Sequence, residues 1–281
     1  AGRAARVRPT NRPHRGGAAT LPHGRRQGRG ELVARMDADD TCRADRLEKQ
    51  AAFLATRPDI GLAGCLATFG GDPQQAAGYL HHLEWANGLT TPGDIARERF
   101  RESPLPHPTV MFRMDAVRRF GGYADGPFPE DYELWLRWLE AGVRMAKVPQ
   151  YLLTWNDPPG RLSRTDPRYD PARFHEIKAG YLARHLEKTN PFHPVIQVLG
   201  AGRVTRRRAE LLCAHGVVIE SWWDIDPRKV GKSVAGRPVR HRDGLPPAGS
   251  SFLVSYVASR GAAEEIAAFV AARGYASGRD Y

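Results

Sequence analysis

Residues 31–40 read ELVARMDADD, an apolar stretch that runs directly into an acidic turn. The first half, Leu32–Met36, predicts a short buried strand, so the carboxylates of Asp37, Asp39 and Asp40 follow its carboxyl end. Ligands of open α/β sheets bind at that end. Two carboxylates spaced i and i+2 can share a hard divalent cation that also holds phosphate oxygens. An acidic turn that caps the next helix fits the same spacing equally well.

A second acidic pair, Glu130-Asp131, lies at the start of a helix predicted over residues 129–141. The helix macrodipole stabilises negative charge at this end, so simple charge placement is one interpretation. The other is that an ionised carboxylate here accepts a hydroxyl proton as a general base. Pairing with the acidic turn of residues 37–40 favours the second interpretation.

Three ordered blocks carry a resemblance to a known family: MDADDTCRADRLEKQAAFL, HPTVMFRMDAVRRFGGY and PEDYELWLRWLEAG. Together they make residues 31–185 resemble a family 2 glycosyltransferase of the GT-A fold. By this resemblance Asp37 and Asp39 match the DxD motif, which holds a divalent metal (Mn or Mg) and the diphosphate of a nucleotide-sugar donor. Asp131 matches the acid of the ED motif, the base of an inverting transfer, with Glu130 as its partner. Asp40 would help to orient this site.

The resemblance extends to the loop WNDPPGRLSRTDPRY, which is similar to the segment that closes over the donor diphosphate in these enzymes. Arg161 and Arg164 would then pair with phosphate, although a solvated basic loop is an equal alternative. His107 would line the acceptor side of the site; the alternative is that its role is only structural. The implied partners are a nucleotide-sugar donor and a glycan or lipid-linked acceptor.

Residues 1–30 form a tail with eight arginines and no acidic residue. It shows neither a strand nor a helix period, so it predicts disorder. A functional basic arm is one interpretation, and a truncated or frame-shifted reading of a GC-rich gene is the one we favour. In the family that this chain resembles, two βαβ units normally precede the acidic turn. We therefore expect the glycosyltransferase domain, residues 31–188, to be incomplete.

The charge of the chain is concentrated in that tail, because the other residues have 34 Lys+Arg against 31 Asp+Glu. The tail contains no aromatic residue, so nucleic-acid binding is not predicted. No apolar run is long enough to span a membrane. The cysteines Cys42, Cys65 and Cys213 form no CxxC pair, and a reducing cytoplasm is the simplest compartment. The sequence is also compatible with peripheral contact between the protein and the inner face of the membrane.

The pattern changes after a linker at residues 189–194. Residues 195–281 alternate strands and helices, which predicts a small parallel Rossmann-like domain. It resembles the domain at the start of sugar O-acyltransferases. Gly200, Gly202 and Arg203 form a GxGxxG-like turn without its third glycine, and Asp224 ends the next strand where a ribose-binding acid would lie. A turn that only packs a helix on a strand needs no ligand.

The whole sequence thus predicts the α/β class: a partial GT-A-type (Rossmann-like) sheet with helices, followed by a second, smaller parallel α/β domain. The leading functional hypothesis is metal-dependent, inverting sugar transfer in polysaccharide or glycoconjugate synthesis. One alternative is a nucleotide-binding regulatory or oxidoreductase module that acts through the C-terminal domain. Another is an inactive, truncated remnant. GxSxG, GxxxxGK[ST] and HExxH do not occur, which excludes α/β-hydrolase, P-loop and zincin readings.

Overall fold

A computed structural model describes residues 30–257, 259 and 261–281. The predicted tail therefore lies outside the described residues except for Gly30. The chain divides into two compact units, one extending to Ala96 and resuming over Ser103–Arg168, the other comprising Arg97–Glu102 and Tyr169–Tyr281. Each unit contains its own five-stranded sheet. The predicted α/β fold with two sheets is confirmed.

The first sheet has the strand order β1-β4-β3-β5-β2. Strands β3 and β5 are parallel, whereas β4 is antiparallel to both β1 and β3, and β2 is antiparallel to β5. Consequently β1, β3 and β5 all end at the same edge of the sheet. The strands are β1 Leu32–Ala34, β2 Thr41–Cys42, β3 Ile60–Phe69, β4 Met111–Arg113 and β5 Arg144–Trp155.

Six helices accompany this sheet in the described sequence up to Arg168. They are α1 Arg46–Thr56, α2 Ala77–Gly88, α3 Pro92–Glu98, α4 Met114–Phe120, α5 Glu130–Glu140 and α6 Leu162–Thr165. Helix α5 buries Leu134, Trp135 and Trp138 completely, as the apolar spacing of its sequence predicts. This packing fixes the helix whose first residues are the second acidic pair.

The apolar segments at residues 143–148 and 151–155 predict two short strands, and β5 differs from this prediction. The structure has one strand, with register shifts against β3 between Cys65 and Ala67. Pro149 explains the irregularity, because proline has no N–H for the ladder and is confined to edges and bulges. The two-residue strand β2 was not predicted, since Thr41-Cys42 is too short to show a period.

The second sheet has the order β10-β6-β7-β9-β8, in which β10, β6, β7 and β9 are parallel. The predicted parallel arrangement is therefore confirmed for these four strands, while β8 and β9 form an unpredicted antiparallel hairpin. The elements are β6 Val195–Leu199, β7 Val218–Asp224, β8 Ser233–Val234, β9 Arg237–His241, β10 Leu253–Ser255, and helices α7 Pro171–Thr189, α8 Arg203–Glu210 and α9 Ala262–Ala271.

Helix α7 falls in the second unit, ahead of the domain boundary predicted at residue 188. The reason is its apolar face: Ala179, Ala183 and Leu186 pack in one cluster with Ile196 and Val198 of β6. The helix also continues to Thr189, into the first position of the predicted linker. In the part of the chain that the structure describes, no helix is both long and apolar enough to cross a bilayer.

A buried polar pair on α1 joins the acidic turn to the sheet. The Gln50 amide, fully buried, donates to the carbonyls of Ala63 at 2.8 Å and Thr109 at 2.9 Å, and its oxygen accepts from Arg46 Nε at 2.9 Å. Arg46 also donates to the Arg35 carbonyl at 2.8 Å. Since buried polar groups must be hydrogen-bonded, this pair fixes where β1 ends.

We predict that Gln50→Ala lowers the free energy of unfolding of the first unit by about 3 kcal/mol, because two carbonyls and a guanidinium lose a buried partner. Urea denaturation of the full chain measures it. The control is Gln75→Ala, an exposed glutamine, with an expected change within about 0.5 kcal/mol. Equal losses in the two variants would show that the buried pair is not a determinant of stability.

Candidate functional site

The acidic turn crosses the edge of the first sheet at which β1, β3 and β5 end. It connects β1 and β2, the two edge strands, so it must pass over the strands between them. At its start, Arg35 N–H donates to the Val110 carbonyl at 2.9 Å, and beyond it Arg43 N–H donates to the Leu152 carbonyl at 3.0 Å. The turn thus lies at the sheet edge where the sequence analysis expects it, the edge that binds ligands in open α/β sheets.

Asn156, which directly follows β5, holds the turn from the other side. Its backbone N–H donates to Asp40 Oδ1 at 2.8 Å, and its side-chain amide donates to the Asp39 carbonyl at 2.7 Å. Sequence reasoning missed this role. The available signal was that Asn156 is a polar residue at the carboxyl end of a strand, as the acidic turn is.

The three carboxylates of the turn differ in their surroundings. Asp37 is paired with Arg35 at 2.5 Å, and Asp39 is exposed. Asp40 is 7% exposed, and its Oδ2 atom has no hydrogen-bond partner within the described residues. Burial raises the pKa of Asp40 to about 6; the Asn156 N–H opposes this rise, and the charges of Asp37 and Asp39 add to it. The turn therefore carries more negative charge than its neighbours neutralise.

The second acidic pair opens α5 as predicted. Glu130 is buried, 3.9 Å from the Arg168 guanidinium, and Asp131 Oδ1 accepts the Tyr132 N–H at 2.8 Å. Burial raises the pKa of Asp131 to about 7, with further contributions from the charges of Glu130 and Asp37. Because Asp37 acts on Asp131, the structure brings the two acidic motifs within electrostatic range of one another.

His107 contacts Tyr123, a residue within electrostatic range of these acids. Its Nε2 atom is 2.7 Å from the Tyr123 hydroxyl, and its ring packs edge-on against Trp135. Burial, and secondarily the charge of Arg35, holds the pKa of His107 well below its usual range, so the imidazole is neutral. Burial raises the pKa of Tyr123, and Asp131 adds to that rise. Sequence reasoning did not identify Tyr123, since a lone tyrosine carries no spacing signal.

The two predicted donor-binding arginines are placed differently. Arg161 stacks on Trp155 at 4.0 Å from the ring centroid, and its charge opposes the burial-driven rise in the pKa of Asp40, so it belongs with the acidic turn. Arg164 forms a two-point ion pair with Asp157 and lies 4.6 Å over the Tyr79 ring. Of the two, Arg161 is the one that the structure brings to the acids.

Metal ligation at this edge would rest on oxygen atoms of Asp37 and Asp39. No group of three His, Cys, Asp or Glu side chains suited to a metal exists among the described residues. A two-carboxylate site nevertheless suits Mg²⁺ or Mn²⁺, which take several ligands from water and substrate phosphates. The orphaned Asp40 oxygen and the excess of negative charge also favour a cation here. The residues present fit such a metal.

In the second unit, packing accounts for one of the two glycines of the predicted turn. Gly200 has φ +90°, and a Cβ atom there would lie 2.5 Å from Val257, so the turn requires glycine. Gly202 has an ordinary extended backbone and open space around it, and Arg203 is exposed. Thr205, in place of the third glycine, fills the space beside Gly200.

Asp224 closes this turn from β7. Its Oδ2 accepts the Ala201 N–H at 2.7 Å and the Lys229 ammonium at 3.1 Å, while Oδ1 accepts the Asp226 N–H at 2.9 Å. Burial acts to raise the pKa of Asp224, but these donors outweigh it and the net shift is downward. The ribose-binding role stays a prediction, and the structure gives both oxygens an internal partner.

Comparison with known proteins gives a family match for the first part of the chain. Residues 3–121 match the family model described as Glycosyl transferase family 2. The matched segment includes the acidic turn and His107, ends before Glu130, and begins among residues that the structure does not describe.

Curated relatives align over a similar length. The chain is 35% identical over 135 residues to an uncharacterized glycosyltransferase of Haemophilus influenzae, covering 48% of each. It is 34% identical over 122 residues to the amylovoran biosynthesis glycosyltransferase AmsE of Erwinia amylovora, covering 43% of each. It is 30% identical over 136 residues to the UDP-Gal:alpha-D-GlcNAc-diphosphoundecaprenol beta-1,3-galactosyltransferase of Escherichia coli, covering 48% of this chain and 47% of that protein. The matched region thus spans just under half of each relative.

Among solved structures, S. aureus TarS (residues 1–349, in complex with UDP-GlcNAc) is similar with a TM-score of 0.41 and 16% sequence identity, over 59% of this chain and 51% of that one.

The glycine turn supplies a matched pair of substitutions. We predict that Gly200→Ala destabilises the second unit by about 2 kcal/mol or more, because it combines a left-handed backbone with a clash against Val257. Gly202→Ala should change the free energy of unfolding by less than about 1 kcal/mol, since it meets neither obstacle. Thermal unfolding of both variants tests this. A tolerated Gly200→Ala would contradict the packing role.

Proposed function

We propose that the first unit contains the site of a metal-dependent, inverting glycosyltransferase, which transfers a sugar from a nucleotide-sugar donor to an acceptor hydroxyl. The observation that carries the proposal is the placement of Asp131 within electrostatic range of the acidic turn: burial and the charge of Glu130 raise the pKa of Asp131, and the charge of Asp37 adds to that rise. It joins an acidic turn suited to a metal with a carboxyl group whose pKa is about 7. The match of residues 3–121 to Glycosyl transferase family 2 supports the same reaction.

In this proposal Asp37 and Asp39 hold the metal, Mn²⁺ or Mg²⁺, together with the donor diphosphate. When bound, the metal supplies Lewis-acid stabilisation of the nucleoside diphosphate that departs. Asp40 keeps the turn in place through its bond to the Asn156 N–H. Arg161, near Asp40, supplies a positive charge for the diphosphate, and Arg164 does so if its pair with Asp157 opens.

Asp131 is the proposed base. A pKa of about 7 allows the carboxylate to be ionised before the reaction and to keep the acceptor proton afterwards. The buried charge of Glu130 makes Asp131 a better proton acceptor, because it opposes a second negative charge nearby. The reaction then needs one displacement and no covalent intermediate. Neutral His107, hydrogen-bonded to Tyr123, lies on the acceptor side.

The substrate classes that we propose for this chain are based on the names of two relatives. One relative acts on a diphosphoundecaprenol-linked acceptor, and another serves amylovoran biosynthesis. For this chain we propose a glycan or lipid-linked acceptor and a role in polysaccharide or glycoconjugate synthesis in the cytoplasm, at the inner face of the membrane. We do not propose an oxidoreductase, because Asp224 is engaged by its own backbone neighbours.

The first test of this proposal is Asp131→Asn. The side chain keeps its size and its bond to the Tyr132 N–H but cannot accept a proton. We expect turnover to fall by about 10²–10⁴-fold. For the unsubstituted chain, turnover should rise with pH through about 7, as Asp131 loses its proton. A panel of UDP- and GDP-sugars, assayed for nucleoside diphosphate release, measures both quantities, with Asp115→Asn as an exposed control.

Stability separates this role from a structural one. The pKa of Asp131 is higher in the folded chain than its ordinary value of 3.8, so folding favours the protonated form. That contribution is complete below about pH 4 and is lost as the pH rises through about 7. Asp131→Asn should therefore melt at an equal or higher temperature than the unsubstituted chain at pH 8. A folded variant with near-normal turnover would refute Asp131 as the base.

The second test concerns the metal and uses Asp39→Asn, which removes one exposed carboxylate without disturbing the buried contacts of the turn. Calorimetric titration of UDP or GDP with and without Mn²⁺ should show metal-enhanced binding in the unsubstituted chain. The enhancement should fall about tenfold or more in Asp39→Asn, because a charged ligand is lost. Asp115→Asn again serves as the control. Metal-independent binding in the unsubstituted chain would remove the metal from the proposal.

A further inference from the structure

A cluster of protonatable groups lies within the second unit, away from both acidic motifs. It consists of His175 and Lys178 on α7, Arg208 on α8, and Tyr256 directly after β10. We refer to these four residues as the cationic cluster. Lys178 Nζ lies 5.5 Å from the centroid of the Tyr256 ring, and the His175 ring lies 6.1 Å from that ring, edge-on.

The charge of Arg208 acts on the other three residues, so we include it in the cluster. Burial is the main cause that lowers the pKa of Lys178 to about 8 and of His175 to about 3, and the charge of Arg208 contributes to both shifts. Burial raises the pKa of Tyr256, and Arg208 opposes that rise. Glu102 is the acid that acts on Lys178 and His175. Two permanent or near-permanent cations thus face one carboxylate, which leaves the cluster positive.

Two polar atoms of the cluster lack partners. The Tyr256 hydroxyl and His175 Nδ1 have no hydrogen bond to any residue that the structure describes, although Tyr256 is only 7% exposed. Lys178, 5% exposed, donates to the Arg101 carbonyl at a long 3.4 Å. Buried polar groups normally have partners, so unfilled hydroxyl and ammonium donors beside a guanidinium favour a missing acceptor.

The location favours a ligand as well. Tyr256 follows the carboxyl end of β10, beside the parallel strand β6. From β6 the sheet continues to β7 and β9 on one side and to β10 on the other, so the strand order reverses between β6 and β10. Such a switch point leaves a crevice at the carboxyl ends of the strands. His175 and Arg208 are half-buried, so the cluster reaches solvent through them.

We propose that the cationic cluster binds a compact oxyanion, the phosphate or carboxylate group of a small ligand. Its oxygens accept hydrogen bonds from the Tyr256 hydroxyl, the Lys178 ammonium and the Arg208 guanidinium. Charge-assisted bonds of this kind are the strong ones, and the guanidinium fork suits two oxygens of one anion. This site is independent of the proposed sugar transfer, because its residues all belong to the second unit.

The experiment titrates the full chain with inorganic phosphate and, separately, with succinate, following heat and the imidazole resonances of His175. We expect binding of at least one anion with a shift of the His175 resonances. Affinity should fall about tenfold or more in Lys178→Met, which removes a charge-assisted bond, and about fivefold in Tyr256→Phe, which removes only the hydroxyl. The matched controls are the exposed residues Lys232→Met and Tyr151→Phe, with unchanged affinity.

The outcomes separate the sources of the anion. Binding of phosphate alone identifies a phosphate-bearing ligand, and binding of succinate alone identifies a carboxylate. If the unsubstituted chain binds neither, or if Tyr256→Phe and Lys178→Met bind as the controls do, the proposal is overturned. The Tyr256→Phe variant should fold normally, because the substitution removes a hydroxyl that has no partner. This variant therefore still tests the proposal if Lys178→Met does not fold.

Discussion

The first unit depends on the buried guanidinium of Arg46, which binds neutral acceptors. It donates to the Arg35 carbonyl and to Gln50, and Gln50 in turn donates to one carbonyl within β3 and one just before β4. These bonds fix the end of β1 without using any carboxylate of the acidic turn. Asn156 anchors the other end of the turn: its backbone N–H binds the Asp40 carboxylate and its side-chain amide binds the Asp39 carbonyl. The turn thus has a defined shape, and the nearby arginines Arg35 and Arg161 neutralise only part of its negative charge.

The remaining negative charge of the turn adds to the effect of burial at this edge of the sheet. Burial is the main cause that raises the pKa of both Asp40 and Asp131, and the charge of Asp37 adds to both shifts, although the two residues lie on different elements. Two nearby arginines form their closer ion pairs with acids outside the two acidic motifs. Arg164 pairs with Asp157. Arg168 pairs more closely with Asp166 than with Glu130. A surface of like charges is unfavourable for folding but favourable for a cation and for a base with a pKa near neutrality. The arrangement is therefore easier to explain by binding than by stability.

The sequence was sufficient for features that are local. The sequence pattern located β1 and α5, and the acidic turn was expected at the carboxyl end of β1, where it lies. Features that depend on contacts distant in the chain were not predictable. Asn156 and Tyr123 acquire roles only through partners on other elements. The hairpin of β8 and β9 was not predicted from the sequence. Its turn is Ala235-Gly236, in which both residues have positive φ, instead of the usual Asn-Gly or Asp-Gly.

Asp40 and Asp224 show why an acid at a strand end is an ambiguous signal. Both residues follow or end a strand in an α/β sheet and both are buried, so the sequence treats them alike. Asp224 accepts two backbone N–H groups and a lysine ammonium, and its pKa falls. Asp40 accepts one backbone N–H, retains an oxygen without a partner, and its pKa rises to about 6. The number of donors that the local backbone supplies therefore decides whether such an acid completes the fold or remains available to a ligand, and that number follows from turn geometry rather than from residue type.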